Sequence, residues 1–396
     1  MIKFDTGLTV LDISRLWARR DRASPSGIDR VELKTAEDAL DHNTLFFISS
    51  GPRRWFLAKD QVRSLAQALR ERWARSSRDT ASGIERIANM IGLADASALL
   101  PSDHLPELEP INLTAPGRFE AWRRFRRTDR KIVERAGDLV HYINVSHQHL
   151  EKLETLRSLK ERWQARVTIY WHDAIPISFP EYAAPHEPER HHQRLVTALR
   201  LADTLLVNSK ATEQNLRDIA DQEGLAVPPV ELCPLVSEFP YPDQVPDINT
   251  SKPYFVTIGT IEPRKNHLLL LKIWREMAAA LGDDCPPLII IGNRGWLNEG
   301  TFAMLDRCRA IRPYVIEVSG LSDQSVAVLL KAARALLFPS FAEGFGLPLL
   351  EAQQLGTPVI ASDLPVFHEI TTSPFQSLSP LDGEAWKKVI LQAAKR

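Results

Sequence analysis

The stretch YFVTIGTIEPRKNHLLLLKIW, residues 254–274, decides the fold of this chain. Its first five residues, Tyr254–Ile258, form a short apolar run that predicts a strand buried on both faces of a parallel sheet. A loop that begins at Gly259 follows, and Asn266–Leu281 then has the spacing of a helix. A buried strand that runs through such a loop into a helix is the repeating unit of doubly wound α/β folds.

The same alternation continues through most of the chain. Further strands are predicted at Leu8–Ile13, Thr44–Ser49, Asp138–Asn144, Val167–Trp171, Thr204–Asn208, Val230–Pro234, Pro287–Ile291, Tyr314–Val318, Ala335–Phe338 and Pro358–Ala361. Helices are predicted between them, for example at Gly27–Leu40, Ser322–Ala333, Leu347–Leu355 and Asp382–Lys395. The sequence therefore predicts an α/β fold with Rossmann-like, doubly wound domains.

One stretch interrupts this rhythm and divides the chain. Residues 236–253 carry four prolines, several acidic or amide side chains and little periodicity, which is typical of a linker. We therefore expect an N-terminal domain at 1–235, with a helical insertion at about 51–135, and a C-terminal domain at 254–396. Two α/β domains joined by one linker imply a cleft between them, and this cleft is where we expect the ligand to bind.

Composition excludes several classes of protein. Of the 396 residues, 44% are hydrophobic and 25% charged, and 49 Lys and Arg against 50 Asp and Glu give a net charge of −1. This balance argues against a dedicated nucleic-acid binder. The three cysteines are widely spaced and lack the spacing of zinc ligands, so inert thiols are expected. The sequence shows neither a signal peptide nor an apolar run of the roughly 18 residues that span a membrane. We expect a cytoplasmic protein.

The first candidate site is the pair Arg264 and Lys265. These two cations follow the predicted strand and precede the predicted helix, so an anion there would meet both side chains and the free N–H groups of the helix start. Arginine can bind a phosphate with two hydrogen bonds, and lysine adds a point charge. The alternative is a solvated turn without a ligand.

The second candidate site is PSFAEGFGLPLLEA, residues 339–352, which follows the predicted strand Ala335–Phe338. Its glycines would let the backbone approach a ligand closely. Glu343 lies in the loop, where its carboxylate could meet a sugar. Glu351 lies about one turn into the following helix and could accept two hydroxyls of a ribose. For either glutamate alone, the alternative is a solvated acid at the surface.

Together, these motifs resemble the nucleotide-sugar-binding domain of family 4 retaining glycosyltransferases, which have the GT-B fold. The resemblance covers residues 254–370, and the matching motifs occur in the family's order. They are GTIEPRKN (259–266), IIIGNRGW (289–296), the stretch from SGLSD to LLKAARALLFPS (319–340), EGFGLPLLEA (343–352) and GTPVIASDLPVFHEI (356–370).

The resemblance implies a role for each matched position. Arg264 and Lys265 would hold the donor diphosphate and stabilise the leaving nucleotide, Glu343 would contact the donor sugar, and Glu351 would bind the ribose. The other donor-binding positions that it implies, around phosphate, sugar and base, are Asn293, Arg294, Gly320, Leu321, Phe345, Gly346 and Leu347.

The N-terminal half matches the family more loosely. WHDAIP, residues 171–176, is similar to the family's H-D-x-x-P segment, which implies that His172 faces the donor sugar near its phosphate. The alternative is a structural histidine at a strand end, with Asp173 as a cap.

The family's Gly-Gly loop after the first strand is SPSGIDR here, residues 24–30, with a single glycine. Gly27 opens a helix behind a basic loop, so a phosphate or the acceptor could bind at Gly27 and Arg30. A capped helix start behind a solvated basic loop is the alternative.

The segment Arg118–Arg135 holds eight Lys and Arg against three acids, with Phe119, Trp122 and Phe125 interleaved. A basic helix with aromatic residues suits an anionic membrane surface, which would place the protein peripherally on the inner face of the cell membrane. The alternative is a solvated helix that packs its aromatic side chains inward.

The resemblance implies a metal-independent, retaining hexosyltransferase. It would move a hexose from a nucleotide diphospho-sugar, with GDP-mannose or a UDP-sugar favoured, to a saccharide or lipid-linked glycan in surface polysaccharide or lipopolysaccharide synthesis. The sequence contains no Asp-x-Asp triplet, the usual metal–diphosphate pattern of the other main transferase fold. No cofactor is expected, because the nucleotide-sugar is a substrate. Two alternatives stay open: a nucleotide-sugar epimerase of the same fold, and a non-catalytic glycan-binding module of a larger polymerase.

Overall fold

A computed structural model describes residues 2–4, 7–22, 25–73, 81–99, 113–134, 140–237, 239 and 242–395. The chain forms two compact units. The N-terminal unit comprises Met1–Arg72 and Pro106–Val236, and the C-terminal unit comprises Trp73–Leu105 and Ser237–Arg396. Each unit has its own sheet, and the predicted α/β class is confirmed.

The sheet of the N-terminal unit has the strand order β3-β2-β1-β4-β5-β6-β7. All neighbouring strands are parallel except β2 and β3. The strands are β1 (Leu8–Asp12), β2 (Thr44–Ser50), β3 (Arg53–Leu57), β4 (Val140–Asn144), β5 (Arg166–Trp171), β6 (Thr204–Val207) and β7 (Val230–Leu232). The helices from this half of the sequence are α1 (Ser14–Arg19), α2 (Gly27–Asp38), α3 (Lys59–Trp73), α4 (Ala81–Ile91), α5 (Arg118–Glu134), α6 (Leu153–Trp163), α7 (Ile175–Ser178), α8 (Glu187–Leu201) and α9 (Lys210–Gln222).

The sheet of the C-terminal unit has the order β10-β9-β8-β11-β12-β13, and all neighbours are parallel. Its strands are β8 (Phe255–Ile258), β9 (Leu288–Ile291), β10 (Val315–Val318), β11 (Ala335–Phe338), β12 (Val359–Ser362) and β13 (Gln376–Leu378). Its helices are α10 (His267–Leu281), α11 (Glu299–Arg307), α12 (Asp323–Lys331), α13 (Leu347–Gln354), α14 (Pro365–Ile370) and α15 (Gly383–Ala394). This strand order is the doubly wound order of dinucleotide-binding folds.

Large aromatic side chains fill both cores. Trp163 and Trp171 are fully buried in the N-terminal unit, and Trp274 and Trp386 in the C-terminal unit. The indole N–H of Trp274 donates to the carbonyl of Pro286 at 2.7 Å, so its one polar group is satisfied. The cysteines are free, with Cys308 partly buried and the other two buried.

The predicted insertion differs from the structure in two ways. Its first part contains β3, which pairs antiparallel with β2 in the register Ile48↔Trp55. The sequence analysis missed this strand because it begins with two arginines and carries only three consecutive apolar residues. Residues 74–80, 100–112 and 135 of the predicted insertion lie outside the described residues, as do 138–139 of the strand predicted at Asp138–Asn144.

The second difference concerns residues 81–99, which pack with the C-terminal unit and not with the N-terminal one. Helix α4 contacts β10, and the short 3-10 helix Ala96–Leu99 contacts α12. The apolar face of α4, formed by Ile84, Ile87 and Ile91, is buried there. The sequence analysis assigned this segment to the N-terminal domain because an amphipathic pattern shows that a face is buried but not which surface covers it.

Tight backbone contacts hold this segment in place. Gly92 follows α4 with φ +65°, and a Cβ atom there would lie 2.9 Å from Cβ of Ser251 and closer still to its hydroxyl. The amides of Ser251 and Lys252 donate to the carbonyls of Gly92 and Ile91, at 3.3 and 3.2 Å. The predicted linker therefore packs against the segment at this point.

We expect Gly92→Ala to destabilise the C-terminal unit more than Gly224→Ala destabilises the N-terminal unit. Both glycines follow a helix with φ +65°, but a Cβ at Gly224 would meet nothing within 4 Å. Left-handed backbone costs alanine about 1 kcal/mol at either site. The clash with Ser251 adds about 1–3 kcal/mol at Gly92 only. Thermal melting of both variants measures the difference, and equal losses would show that the segment docks loosely.

Candidate active site

The candidate site of the C-terminal unit lies where its strand order reverses. Strands β8 and β11 are neighbours, but the chain leads from them to opposite sides of the sheet. Ligands of open α/β sheets bind beyond the carboxyl ends of the strands at such a point. The loops that follow the two strands are tied together here: the amide of Phe341 donates to the carbonyl of Arg264 at 2.8 Å, and Nη1 of Arg264 donates to the carbonyl of Ala342 at 2.7 Å.

Four charged side chains meet between these loops, and we call Glu262, Arg264, Lys265 and Glu343 the switch-point cluster. Nη1 of Arg264 lies 2.7 Å from Oε2 of Glu343, and its Nη2 lies 2.6 Å from Oε1 of Glu262. Nζ of Lys265 lies 2.5 Å from Oε1 of Glu343, which also accepts a hydrogen bond from Ser340 at 2.7 Å. Two cations thus face two carboxylates.

The cluster is buried, and its electrostatics follow from that. The side chain of Glu343 is 7% exposed and that of Lys265 is 11% exposed. Burial alone would raise the pKa of Glu343, but Arg264 and Lys265 outweigh it and lower the pKa to about 2. Burial also lowers the pKa of Lys265, more than the carboxylate of Glu343 raises it. Glu343 is therefore firmly ionised at neutral pH.

Lys265 has little freedom to move. Its ammonium lies 4.7 Å from the centre of the Phe338 ring, in a cation–π contact. On another side it passes Gly259, where φ is +144° and a Cβ atom would lie 3.1 Å from Cε of Lys265. Gly259 thus leaves the space that the lysine chain occupies.

The alternative of a solvated turn at Arg264 and Lys265 is wrong, because both side chains are largely buried and paired. Because they are buried and paired, both side chains also contribute to the stability of the unit. Removing one partner of a buried ion pair commonly costs about 3–5 kcal/mol. Sequence reasoning also missed Glu262 and Ser340, since neither belongs to a spacing pattern that marks them as partners of the cations.

Helix α13 begins beside this cluster in the loop after β11. Gly346 precedes the helix with φ +109°, and a Cβ atom there would lie 2.7 Å from the ring of Phe367, so only glycine fits. Phe345 is buried, Leu347 opens the helix, and Glu351 lies half-buried just beyond the first turn. The sequence analysis placed these residues on the correct elements, and their contacts with a donor stay a prediction.

The remaining predicted donor residues follow the next two strands. Asn293 and Arg294 come after β9, and Gly320 and Leu321 come after β10. Arg294 makes ion pairs with Asp306 at 2.6 Å and Glu317 at 2.8 Å, and these carboxylates raise its pKa. Its guanidinium is therefore engaged by side chains of its own unit, and a contact with the donor stays a prediction.

His172 lies in the N-terminal unit, directly after β5, and is 4% exposed. Its Nε2 lies 2.6 Å from the carbonyl of Val145. A carbonyl can only accept, so Nε2 carries the proton and Nδ1 is the bare nitrogen. Burial lowers the pKa of His172 to about 4, so the ring is neutral at pH 7. Asp173 accepts from the amide of Ile175 at 3.1 Å, which is the capping contact of the structural alternative.

His147, which the sequence analysis did not predict, holds the backbone of His172 in place. His147 has φ +60° and is buried, and its Nε2 accepts the backbone N–H of His172 at 3.1 Å. The carbonyl of His172 accepts from Asn208 at 2.8 Å. A non-glycine residue with positive φ is uncommon, and no sequence pattern revealed this one.

Gly27 is the first residue of α2, and the N-terminus of this helix is capped by side chains. The hydroxyl of Ser26 accepts the amide of Asp29, and Asp29 accepts the amide of Ser26 at 2.8 Å, which is a capping box. Arg19, the last residue of α1, pairs with Asp29 at 3.1 Å. The alternative of a capped helix start is thus confirmed, while a phosphate or acceptor contact at Gly27 and Arg30 stays a prediction. Ser24 lies outside the described residues.

The second half of the chain is similar to a known protein family and to curated relatives. Residues 242–385 match the family described as "Glycosyl transferases group 1". The serotype-specific mannosyltransferase WbdA of Escherichia coli is 40% identical over 122 residues, which are 30% of this chain and 14% of that protein. The O-antigen chain mannosyltransferase B of Escherichia coli is 36% identical over 141 residues, 35% of this chain and 36% of that protein. The chain thus spans well under two thirds of the length of these relatives.

Solved structures resemble the whole chain at low identity. Sucrose-phosphate synthase from Thermosynechococcus elongatus superposes with a TM-score of 0.57 over 98% of this chain and 89% of that chain, at 16% identity. HepE from Anabaena, solved in complex with UDP-glucose, gives a TM-score of 0.56 over 98% and 91%, at 13% identity. These likenesses show the GT-B fold. The family match over residues 242–385 confirms the glycosyltransferase resemblance that the sequence motifs indicated.

We expect Glu343→Gln to lose stability at neutral pH and to lose progressively less in acid. The folded pKa of about 2 lies below the ordinary value of 4.5, so the carboxylate stabilises the fold above pH 4.5 and ceases to do so as the pH falls towards 2. Each unit of pKa shift corresponds to about 1.4 kcal/mol. Urea unfolding of wild type and variant at pH 7, 5 and 3 tests this. A stability gap that stays constant with pH would contradict the burial of an ionised Glu343.

Proposed function

We propose that this chain, whose residues 242–385 match the glycosyl transferases group 1 family, is a retaining hexosyltransferase that uses a nucleotide diphospho-sugar. The observation that carries the proposal is the switch-point cluster. It holds an arginine and a lysine at the carboxyl ends of β8 and β11, where an α/β sheet of this order binds its ligand.

The cluster suits a reaction in which a diphosphate leaves. Negative charge grows on the leaving group in the transition state, and cations that are already desolvated and oriented stabilise it without further reorganisation. Glu262 and Glu343 hold Arg264 and Lys265 in that state before any donor arrives. An incoming diphosphate would share the two cations with the carboxylates, and Glu343 would then be released to hydrogen-bond the sugar.

The proposal includes catalysis without a metal. Among the residues that the structure describes, no group of three or more His, Cys, Asp or Glu is placed to bind one. Arg264 and Lys265 would supply the positive charge that a divalent cation supplies in other transferases. We expect transfer to persist in excess EDTA, and full loss with recovery on adding Mg²⁺ would contradict this part.

The sugar and the acceptor are inferred from the relatives. The two curated relatives are named as mannosyltransferases, and one as an O-antigen chain enzyme. GDP-mannose is therefore the first donor to test, followed by UDP-hexoses. The acceptor would be a saccharide or lipid-linked glycan of a surface polysaccharide, which implies work at the inner face of the membrane. His172, neutral and with a bare Nδ1, would accept a hydrogen bond from the donor sugar.

The test combines donor binding with product analysis on the full chain. A donor at about 100 times its Kd adds roughly 2.7 kcal/mol to stability, so thermal shift with GDP-mannose and UDP-hexoses identifies the nucleotide. Mass spectrometry with and without a mannosyl acceptor separates transfer from epimerisation. Binding without any turnover would favour the non-catalytic module.

We expect Lys265→Met to reduce kcat by about a hundred- to a thousandfold, as for other preorganised charge-stabilising groups. The variant should also melt lower, because Glu343 loses a buried counter-charge. Lys272→Met is the matched control, because Lys272 is exposed on α10 of the same unit. Steady-state rates are measured below the melting temperature of each variant. Near-normal turnover in Lys265→Met would refute the leaving-group role.

We expect Glu351→Gln to weaken donor binding about ten- to a hundredfold, because hydrogen bonds to a charged acceptor are worth about 1.5–3 kcal/mol. Glu384→Gln is the control, since that side chain is 86% exposed on α15. Calorimetric titration with the donor nucleotide gives both affinities. Equal affinities in the two variants would remove Glu351 from the ribose site.

A further inference from the structure

Within the described part of the chain, helix α5 packs against the core of its unit through one side. On that side, the ring of Phe125 stacks on Phe56 with centroids 6.0 Å apart. Asp129 is buried, pairs with Arg162 at 2.6 Å and accepts the indole N–H of Trp163 at 2.9 Å. These contacts fix the rotation of the helix about its axis, so the side chains that point away from the core are determined.

The outward side carries large apolar groups. Phe119 is 74% exposed, Trp122 53% and Val133 38%. The rings of Phe119 and Trp122 stack with centroids 5.9 Å apart, and the guanidinium of Arg126 lies 5.2 Å from the Trp122 ring. The alternative of a helix that packs its aromatic side chains inward therefore holds for Phe125 but not for Phe119 and Trp122.

These groups form a line with three arginines. At 3.6 residues per turn, six side chains fall within about 100° of arc and extend over roughly 21 Å. We call this set the outer stripe, and its members are Phe119, Trp122, Arg123, Arg126, Arg130 and Val133. The stripe contains no acidic residue. Of the helix's three acids, Glu120 pairs with Arg124 away from the stripe, Asp129 is buried, and Glu134 is exposed at the C-terminal end of the helix, about 20° outside the arc of the stripe.

We infer that the outer stripe docks the protein on an anionic lipid surface, with the two aromatic rings in the headgroup region and the three arginines on lipid phosphates. Aromatic side chains favour the membrane interface, and arginines beside them attract acidic lipids. A straight, convex line of side chains suits a broad, soft surface better than the groove of a protein. No helix in the described part of the chain is long and apolar enough to cross a bilayer.

This inference rests on the proposed function only for its purpose, which is to bring the enzyme to a lipid-linked acceptor. The binding itself can be measured without donor or acceptor. A failed vesicle experiment therefore leaves the transferase proposal standing, and a failed transferase assay leaves the docking proposal standing.

The experiment is sedimentation of the full chain with vesicles of phosphatidylcholine alone and of phosphatidylcholine with 30% phosphatidylglycerol. We expect binding to the anionic vesicles only. Each basic residue near such a surface contributes about fivefold, so the triple variant R123S/R126S/R130S should weaken binding by roughly a hundredfold. The double variant F119S/W122S should weaken it as well, because the aromatic groups no longer enter the interface.

The matched control removes the same charge from the other exposed side of α5, in the variant R124S/R127S/K131S. We expect this variant to keep most of the binding. Equal losses in the two triple variants would show that a diffuse electrostatic attraction, and not the outer stripe, drives vesicle binding. Failure of the wild type to bind anionic vesicles would overturn the proposal.

Size-exclusion chromatography tests whether the outer stripe instead binds a second copy of the chain. A wild-type dimer that the double variant F119S/W122S converts to a monomer would show this and would overturn the lipid proposal. Unchanged thermal melting shows that every variant is folded.

Discussion

The carboxylate of Glu343, buried between Arg264 and Lys265, is the contact on which the C-terminal site depends. A buried charge is tolerated only when it is paired and hydrogen-bonded, so each member of the cluster needs the others. The requirement explains why the loops after β8 and β11 are bonded to each other through backbone as well as side chains. It also explains Gly259, which leaves room for the lysine chain. The ion pairs of Glu343 therefore both orient the two cations of the site and join the loops after β8 and β11.

Much of the fold could be predicted because strands buried on both faces produce continuous apolar runs. All eleven predicted strands are present, and β8 to β12 lie in the doubly wound order. Among the described strands, β3 and β13 escaped prediction, and both carry polar residues over part of their length. β3 begins with Arg53 and Arg54, and β13 has Gln376 and Ser377 before Leu378, so neither shows the continuous apolar run of a strand buried on both faces. The position of α4 could not be predicted either, because an amphipathic pattern shows that one face of a helix is buried but not which unit covers that face.

The candidate site was predicted as a set of residues but not as a network. Motif spacing found Arg264, Lys265, Glu343 and Glu351, because loops after neighbouring parallel strands converge. Spacing does not tell whether a cation faces solvent or a carboxylate, and so the burial of Lys265 came only from the structure. His147 escaped for a different reason: its role depends on a left-handed backbone conformation, which leaves no trace in composition or periodicity.

The docking of residues 81–99 on the C-terminal unit has a consequence for how this protein can evolve. The chain passes between the units three times, after Arg72, Leu105 and Val236, so no single cut separates them. A recombination event at the proline-rich stretch would give the C-terminal unit a new partner that lacks the helix against β10, and would leave that helix behind without its covering surface. A chimera that keeps the contacts of α4 with β10 therefore has to exchange residues 73–105 along with everything from Ser237 onward.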